Sequence, residues 1–271
     1  MKKMFFPLFG FALLFLTACY NQVSTGDHSA IDVEVQMKGD STRYGLACDG
    51  CSDSIIVLLP NEGGDPVKFD IVTAKRNGMV YGTPDIGDEL AIVPNPLDPY
   101  EAEMVINLEQ MKGTWTFQVL PKLKPNPTKT EEEILAGMSD SMKAALFTPR
   151  EYGFTLKSYN QASPVGYVMK ANSLEDESPV EYPKVTVYTS WHIFNGRLYI
   201  YKDTLDEQGH RIPQDSVGFD SGSMRYLSED SMAALFGKKV MQYHRKKNAL
   251  EANKEAQKAE AKNAIIQSFK K

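Results

Sequence analysis

Tyr188-Thr-Ser-Trp191-His-Ile-Phe194-Asn195-Gly196-Arg197-Leu-Tyr-Ile-Tyr201 is the stretch on which the fold turns. Two runs rich in aromatic and β-branched residues flank Asn-Gly, the dipeptide that most readily supplies the two left-handed φ values of a type I′ turn. The stretch therefore reads as a β-hairpin, 184–194 against 197–202. The same grammar repeats outward from it, with strands expected at 152–157, 167–170 and 216–226. Residues 232–243 fit either a strand pair turning at Gly237 or a helix, and periodicity does not choose between them. Residues 130–147 begin acidic and carry apolar residues at helical spacing, which predicts a short helix or two. Met111-Lys-Gly113-Thr114-Trp115-Thr-Phe117 opens this unit, which spans 109–247.

Upstream, the alternating Ile31-Asp-Val33-Glu-Val35 and the runs 54–59, 67–72, 79–81 and 89–93 also read as strands. Pro60-Asn-Glu-Gly-Gly64, Asn77-Gly78 and residues 84–87 supply the turns between them. Five short strands in about 65 residues predict a small β-barrel of the OB type over 30–108. Asn95-Pro96-Leu-Asp-Pro99 reads as its exit. The fold class is all-β: an OB-like barrel, a second antiparallel barrel, and a C-terminal helix.

The segment 112–245 resembles the bacterial lipocalin-like lipoproteins. Gly113-Thr114-Trp115 matches their Gly-x-Trp entry, Tyr152-Gly-Phe-Thr-Leu156 their second strand, and the opening hairpin their Trp-x-x-x-Asn-Gly-x-Leu motif. The resemblance implies a barrel whose closed end is plugged by Trp115 and whose interior takes a small apolar or amphipathic ligand. The aromatics expected to reach such an interior are Phe154, Tyr167, Trp191 and Tyr199. A shorter resemblance covers 44–59, where Tyr44-Gly-Leu-Ala-Cys48-Asp-Gly-Cys51 looks like the Cys-x-x-Cys opening of envelope-stress and copper-resistance outer-membrane lipoproteins. Together they suggest a two-barrel lipoprotein of the Bacteroidetes type.

Cys48 and Cys51 are the constellation with chemistry in it. Two thiols at this spacing can close a small disulfide ring, offer half of a tetrahedral zinc site, bind a soft ion, or sense redox state. No second Cys-x-x-Cys or His-x-His accompanies them, and His28, His192, His210 and His244 are scattered. A loop-stapling disulfide is the first reading; metal handling or envelope-stress sensing is the alternative. Asp220-Ser221-Gly222 lacks the Gly-x-Ser-x-Gly spacing of a nucleophile elbow. Carboxylates at 131–133 and 175–177 read as a helix N-terminus and a solvated loop. The expectation is a non-catalytic protein without a cofactor.

The first residues give the address. Lys2 and Lys3, an apolar run at 5–16, and Leu16-Thr17-Ala18-Cys19 resemble a lipoprotein signal ending in a lipobox. Residues 1–18 are then a leader, Cys19 carries lipid, and 19–29 form a flexible tether. Tyr20 rather than Asp follows the cysteine, and no acidic run occurs in 20–24, which points to the periplasmic face of the outer membrane. Removing the two leader lysines takes the net charge from −5 to −7. Ten basic and three acidic residues in 238–271 give that end +7, so the body from Cys19 to Gly237 stands at −14. An acidic body lacks the basic footprint that neutralises phosphates, which excludes nucleic acid. The Ala-, Glu- and Lys-rich tail 248–271 reads as a helix, docked on the barrel or touching anionic headgroups or an acidic partner. The expected partners are the membrane, through lipid, a small apolar ligand, and an envelope protein.

Overall fold

The computed structural model describes residues 38–166, 178–202, 218–254 and 257–258. Cys19, the tether, the alternating 31–35 and Tyr167 lie outside these. Residues 32–271 form one compact unit.

The first barrel is built from β1 (Arg43–Ala47), β2 (Ile55–Pro60), β3 (Val67–Asp70), α1 (Val72–Arg76), β4 (Val80–Tyr81), β5 (Glu89–Asn95) and β6 (Asp98–Asn107). Five strands close a ring in the order β1-β2-β3-β6-β5, antiparallel except where β3 meets β6 at Asp70↔Glu101, and β4 adds to β6 in parallel outside the ring. This is the OB-like barrel expected from sequence, with two of its strands placed differently. β1 is Arg43–Ala47, and β6 follows the segment read as the exit: Asn95 pairs with Asp98, so Pro96 and Leu97 are a hairpin turn and not a departure. Gly45 disguised β1, because a Cβ there would overlap the Leu59 carbonyl of β2 and only glycine permits the approach. The run expected to continue as strand through Val72 ends early. Asp70 Oδ1 accepts the Val72 N–H at 2.8 Å and turns the chain into α1.

α2 (Leu108–Met111) joins the barrels. The second comprises β7 (Gly113–Val119), β8 (Lys122–Leu123), α3 (Glu131–Ala136), α4 (Asp140–Leu146), β9 (Arg150–Leu156), β10 (Ala162–Val165), β11 (Val180–Glu181), β12 (Tyr188–Phe194), β13 (Arg197–Lys202), β14 (Phe219–Leu227), β15 (Ser231–Phe236) and β16 (Lys239–Lys246), followed by α5 (Ala249–Ala252). Eight strands run β10-β9-β7-β16-β15-β14-β13-β12, and every pairing is antiparallel. The seam between β10 and β12 is nearly closed by the Gln161↔Ser190 bridge and by the Trp191 N–H, which donates to the Asn160 carbonyl at 2.8 Å. The ambiguous stretch after residue 231 is the strand pair, turning at Gly237 with φ +58°. The helical insert is two helices. The first opens with a capping box in which Thr130 and Glu133 each satisfy the other's backbone N–H.

The barrels share a core. One face of the first sheet packs inward, with Ile56, Leu58, Phe69, Leu90, Ile92 and Val105 at its centre. From the other face Tyr44, Tyr81, Ala91 and Ile106, with Leu108 and Met111 of α2, join Trp115, Leu156, Ile193, Leu198, Met224 and Met232 of the second barrel. This is why β5 and β6 are buried on both sides where they meet α2.

Candidate functional site

A sheet that alternates inward and outward sends every second side chain to the barrel interior. In the second barrel these interior residues form two layers. Next to the first barrel, Trp115, Leu156, Ile193, Leu198, Met224 and Met232 are sealed from solvent, so this end is solid. Trp115 is the plug expected of it: it has no exposure, its Nε1–H donates to the Met111 carbonyl at 2.7 Å, and the Arg245 guanidinium lies 4.2 Å from its ring. Arg245 also donates to the carbonyls of Gln110, Glu229 and Lys112. That fixes the junction from below.

Further along the strands the interior residues are less completely buried. Phe117, Tyr188, Phe236 and Met241 pack on the core yet stay half-buried. Tyr243 sits among them, its ring edge-on to Phe117 at 5.6 Å and to Phe236 at 6.4 Å, and tilted against Phe154 at 5.1 Å. Above this aromatic floor stands a polar trio drawn from three strands. The Tyr188 hydroxyl donates to Asp220 Oδ2 at 2.6 Å, and Lys202 Nζ meets Asp220 Oδ1 at 3.0 Å. Burial, reinforced by the Asp220 charge, pushes both the Tyr188 and the Tyr243 phenols well above the ordinary tyrosine value, so both remain neutral donors. Tyr243 is 5% exposed and its hydroxyl makes no hydrogen bond among the described residues. That hydroxyl is not among the described side-chain atoms that are sealed from solvent and lack a hydrogen bond. Tyr243 thus joins an aromatic cluster, with Phe117, Phe154 and Phe236, to the polar trio of Tyr188, Lys202 and Asp220.

The residues expected to line a cavity are distributed unevenly. Phe154 is in the aromatic cluster, T-shaped against Tyr188 at 6.0 Å. Trp191 faces inward but lies deep, 2% exposed, its Nε1–H donating to the Lys157 carbonyl at 2.8 Å. It fastens the β10–β12 seam. Tyr199 is corrected to the outside: Leu198 and Ile200 point inward, so the residue between them points out, where it contacts Phe194 and Phe219. Sequence reasoning missed Tyr188, Lys202, Asp220 and Tyr243.

Cys48 and Cys51 occupy the β1–β2 connection, folded over β2. The Cys48 N–H donates to the Val57 carbonyl at 2.8 Å, and Cys51 Sγ accepts from the Val57 N–H at 3.3 Å. Both are free thiols in the structure, half-buried, so the ring their spacing permits is not closed here. Among the described residues no group of three His, Cys, Asp or Glu side chains is arranged to hold a metal. No family model, no curated protein and no solved structure matches the chain.

Proposed function

We propose that this is a lipid-anchored protein of the bacterial envelope, held at the periplasmic face of the outer membrane through Cys19, that binds a small amphipathic ligand in the less buried half of its second barrel without catalysis. The observation that carries the binding role is the Tyr243 hydroxyl, unpaired among the described residues, ringed by Phe117, Phe154 and Phe236, and lying beneath the Tyr188–Asp220–Lys202 trio. Ligand sites are mostly apolar with a few convergent polar groups that fix orientation, and this cluster has that composition. An apolar tail would rest on the aromatic floor, and a polar head would meet Tyr243 and the rim. The lipobox-like Leu16-Thr-Ala-Cys19 supports the anchor.

The test is a titration of the full chain, in detergent below its micellar concentration, with lauric acid, a monoacyl lysolipid and an aromatic dye. One-to-one saturable binding that disappears in Phe117→Arg, with circular dichroism unchanged, is the expected result. Absence of saturable binding to all three probes by a natively folded chain would remove the proposal.

A further inference from the structure

β13 is apolar on both faces. Leu198 and Ile200 point into the barrel and are sealed there, while Tyr199 and Tyr201 point outward. An antiparallel sheet with one face in water alternates apolar with polar residues, so aromatic rings grouped on the outer face depart from that pattern and mark a contact surface. The pairing Tyr201↔Phe219 carries the group onto β14, and Phe194↔Arg197 carries it onto the end of β12. Tyr199 lies edge-on to Phe194 at 6.1 Å and tilted to Phe219 at 5.3 Å, and Tyr201 is 5.9 Å from Phe219. Phe219 is 51% exposed, and the other three rings are half-buried. The outward positions of the paired β13 and β14 are Arg197, Tyr199, Tyr201, Phe219, Ser221 and Ser223, with no carboxylate among them. In a strongly acidic body, that sets this face apart.

The start of the described chain is fastened beside these rings. The Ser41 N–H and hydroxyl donate to Asn195 Oδ1 at 2.8 and 2.7 Å, Asn195 Nδ2–H donates to the Gly39 carbonyl at 3.3 Å, and the Asn195 N–H donates to Asp40 Oδ1 at 2.9 Å. Asn195 opens the β12–β13 turn next to Phe194, and a Cβ on Gly39 would lie 4.0 Å from the Phe194 ring. Lys38, the first described residue, therefore adjoins the aromatic group. From Lys38 back to Cys19 is nineteen positions (38 − 19). A flexible linker of that length spans about 25 Å root mean square.

We infer that this aromatic face seats on the bilayer that holds Cys19, with Phe194, Tyr199, Tyr201 and Phe219 at headgroup level. The inference rests on the lipid anchor proposed above. Lipid on Cys19 draws the turn at Asn195 towards the membrane ahead of surfaces farther from it, and the aromatic group begins at that turn. Rings with an apolar body and a polar tip settle at the boundary between headgroups and acyl chains, which suits Tyr199 and Tyr201. Arg197, exposed among them, is of the sign that lipid phosphates attract, and no outward carboxylate of β13 or β14 opposes it. Four rings alone make a weak seat. The anchor turns it into an intramolecular contact, for which a high effective concentration compensates the low affinity.

The test places a reporter tryptophan on either side of the barrel. Phe219→Trp puts one in the aromatic group. Leu250→Trp puts one at an 81% exposed position of α5, which packs on β9 and β16 across the eight-strand ring from β13. Trp115 and Trp191, at 0% and 2% exposure, are the background common to both. Each variant, as the full lipidated chain, is reconstituted on phosphatidylethanolamine–phosphatidylglycerol vesicles with and without dibrominated phosphatidylcholine, a contact-range quencher, and flotation measures anchorage separately. Both variants should float, and quenching should be at least about twofold greater for Phe219→Trp than for Leu250→Trp. Tyr201→Trp, at the cross-strand partner, repeats the measurement should Phe219→Trp misfold. If the protein floats and residue 219 is quenched no more than residue 250, the proposal is overturned while the anchor stands; rings covered by a second copy or by the chain itself give this result. Failure to float removes the anchor, and this inference with it.

Discussion

Trp115 and Tyr243 share a barrel interior and are held there for different reasons, so their substitutions should act in different ways. Trp115→Ala removes a fully buried ring, its bond to Met111 and the surface on which Arg245 rests, at the joint of both barrels. A loss of about 3–5 kcal/mol in urea unfolding is expected. Tyr243→Phe keeps every ring contact and deletes only a hydroxyl unpaired among the described residues. An unsatisfied buried polar group is a cost to the folded state, so this variant should be as stable as the parent or up to about 1 kcal/mol more stable. It should nonetheless bind polar-headed ligands more weakly, and a fall in stability with unchanged binding would show the hydroxyl to be structural. Tyr188 and Tyr243 have the most strongly raised phenols, with Tyr81 and Tyr201 also raised, so ultraviolet titration should find at least two tyrosines that do not ionise near the ordinary pH 10 and titrate only when alkali unfolds the chain.

Among the elements, α5 is a single turn, and the residue that follows it ties it to the second barrel. Asn253, 3% exposed, accepts from the Glu151 N–H at 2.9 Å and donates to the Glu151 carbonyl at 2.8 Å. Glu151 lies two residues beyond the last β9–β10 pair, Gly153↔Val165, so Asn253 completes a ladder that β10 leaves unfinished. Asn253→Ala should cost about 1–3 kcal/mol and speed exchange of the Glu151 amide. The sequence showed the hairpin β12–β13 because Asn195-Gly196 admits one turn, and it showed a helix where the tail begins, at Ala249–Ala252, because propensity does not depend on partners. It did not show β10, whose Ala162-Ser-Pro-Val165 lacks the alternation of a half-buried strand. Nor could it show the Tyr188–Asp220–Lys202 trio. The register slips between Tyr188 and Ser190, so Tyr188 and Trp191 share a face although three positions separate them. A period of two, applied without that bulge, sends Tyr188 outward.

At the scale of the molecule, the two barrels are locked by a polar contact as well as by their core. The Tyr44 hydroxyl is shared between Asp40 Oδ2 at 2.6 Å and the Ile193 carbonyl at 2.7 Å, and the Asn195 N–H donates to Asp40 Oδ1 at 2.9 Å. Burial alone would raise the Asp40 carboxyl, but hydrogen bonds from Thr42, Tyr44 and Asn195 outweigh it and hold it below the ordinary 3.8. A lowered folded value stabilises above the unfolded value and ceases to do so as pH falls through the folded one. Stability should therefore drop as pH falls below about 4, with part of that slope missing in Asp40→Asn. At the membrane, Cys19→Ala should move the protein from the detergent phase to the aqueous phase or leave it as precursor; unchanged partitioning would refute the anchor. The shared core also bears on export. Tyr44 and Tyr243 belong to one cluster, so the outer face of the first barrel, with Tyr44, Tyr81, Ala91 and Ile106, has no cover until β12 to β16 have folded against it. On the proposed export route, a chain threaded from its N-terminus would carry a bare apolar flank while its second half was still in transit, an interval in which a holdase would keep it from aggregating.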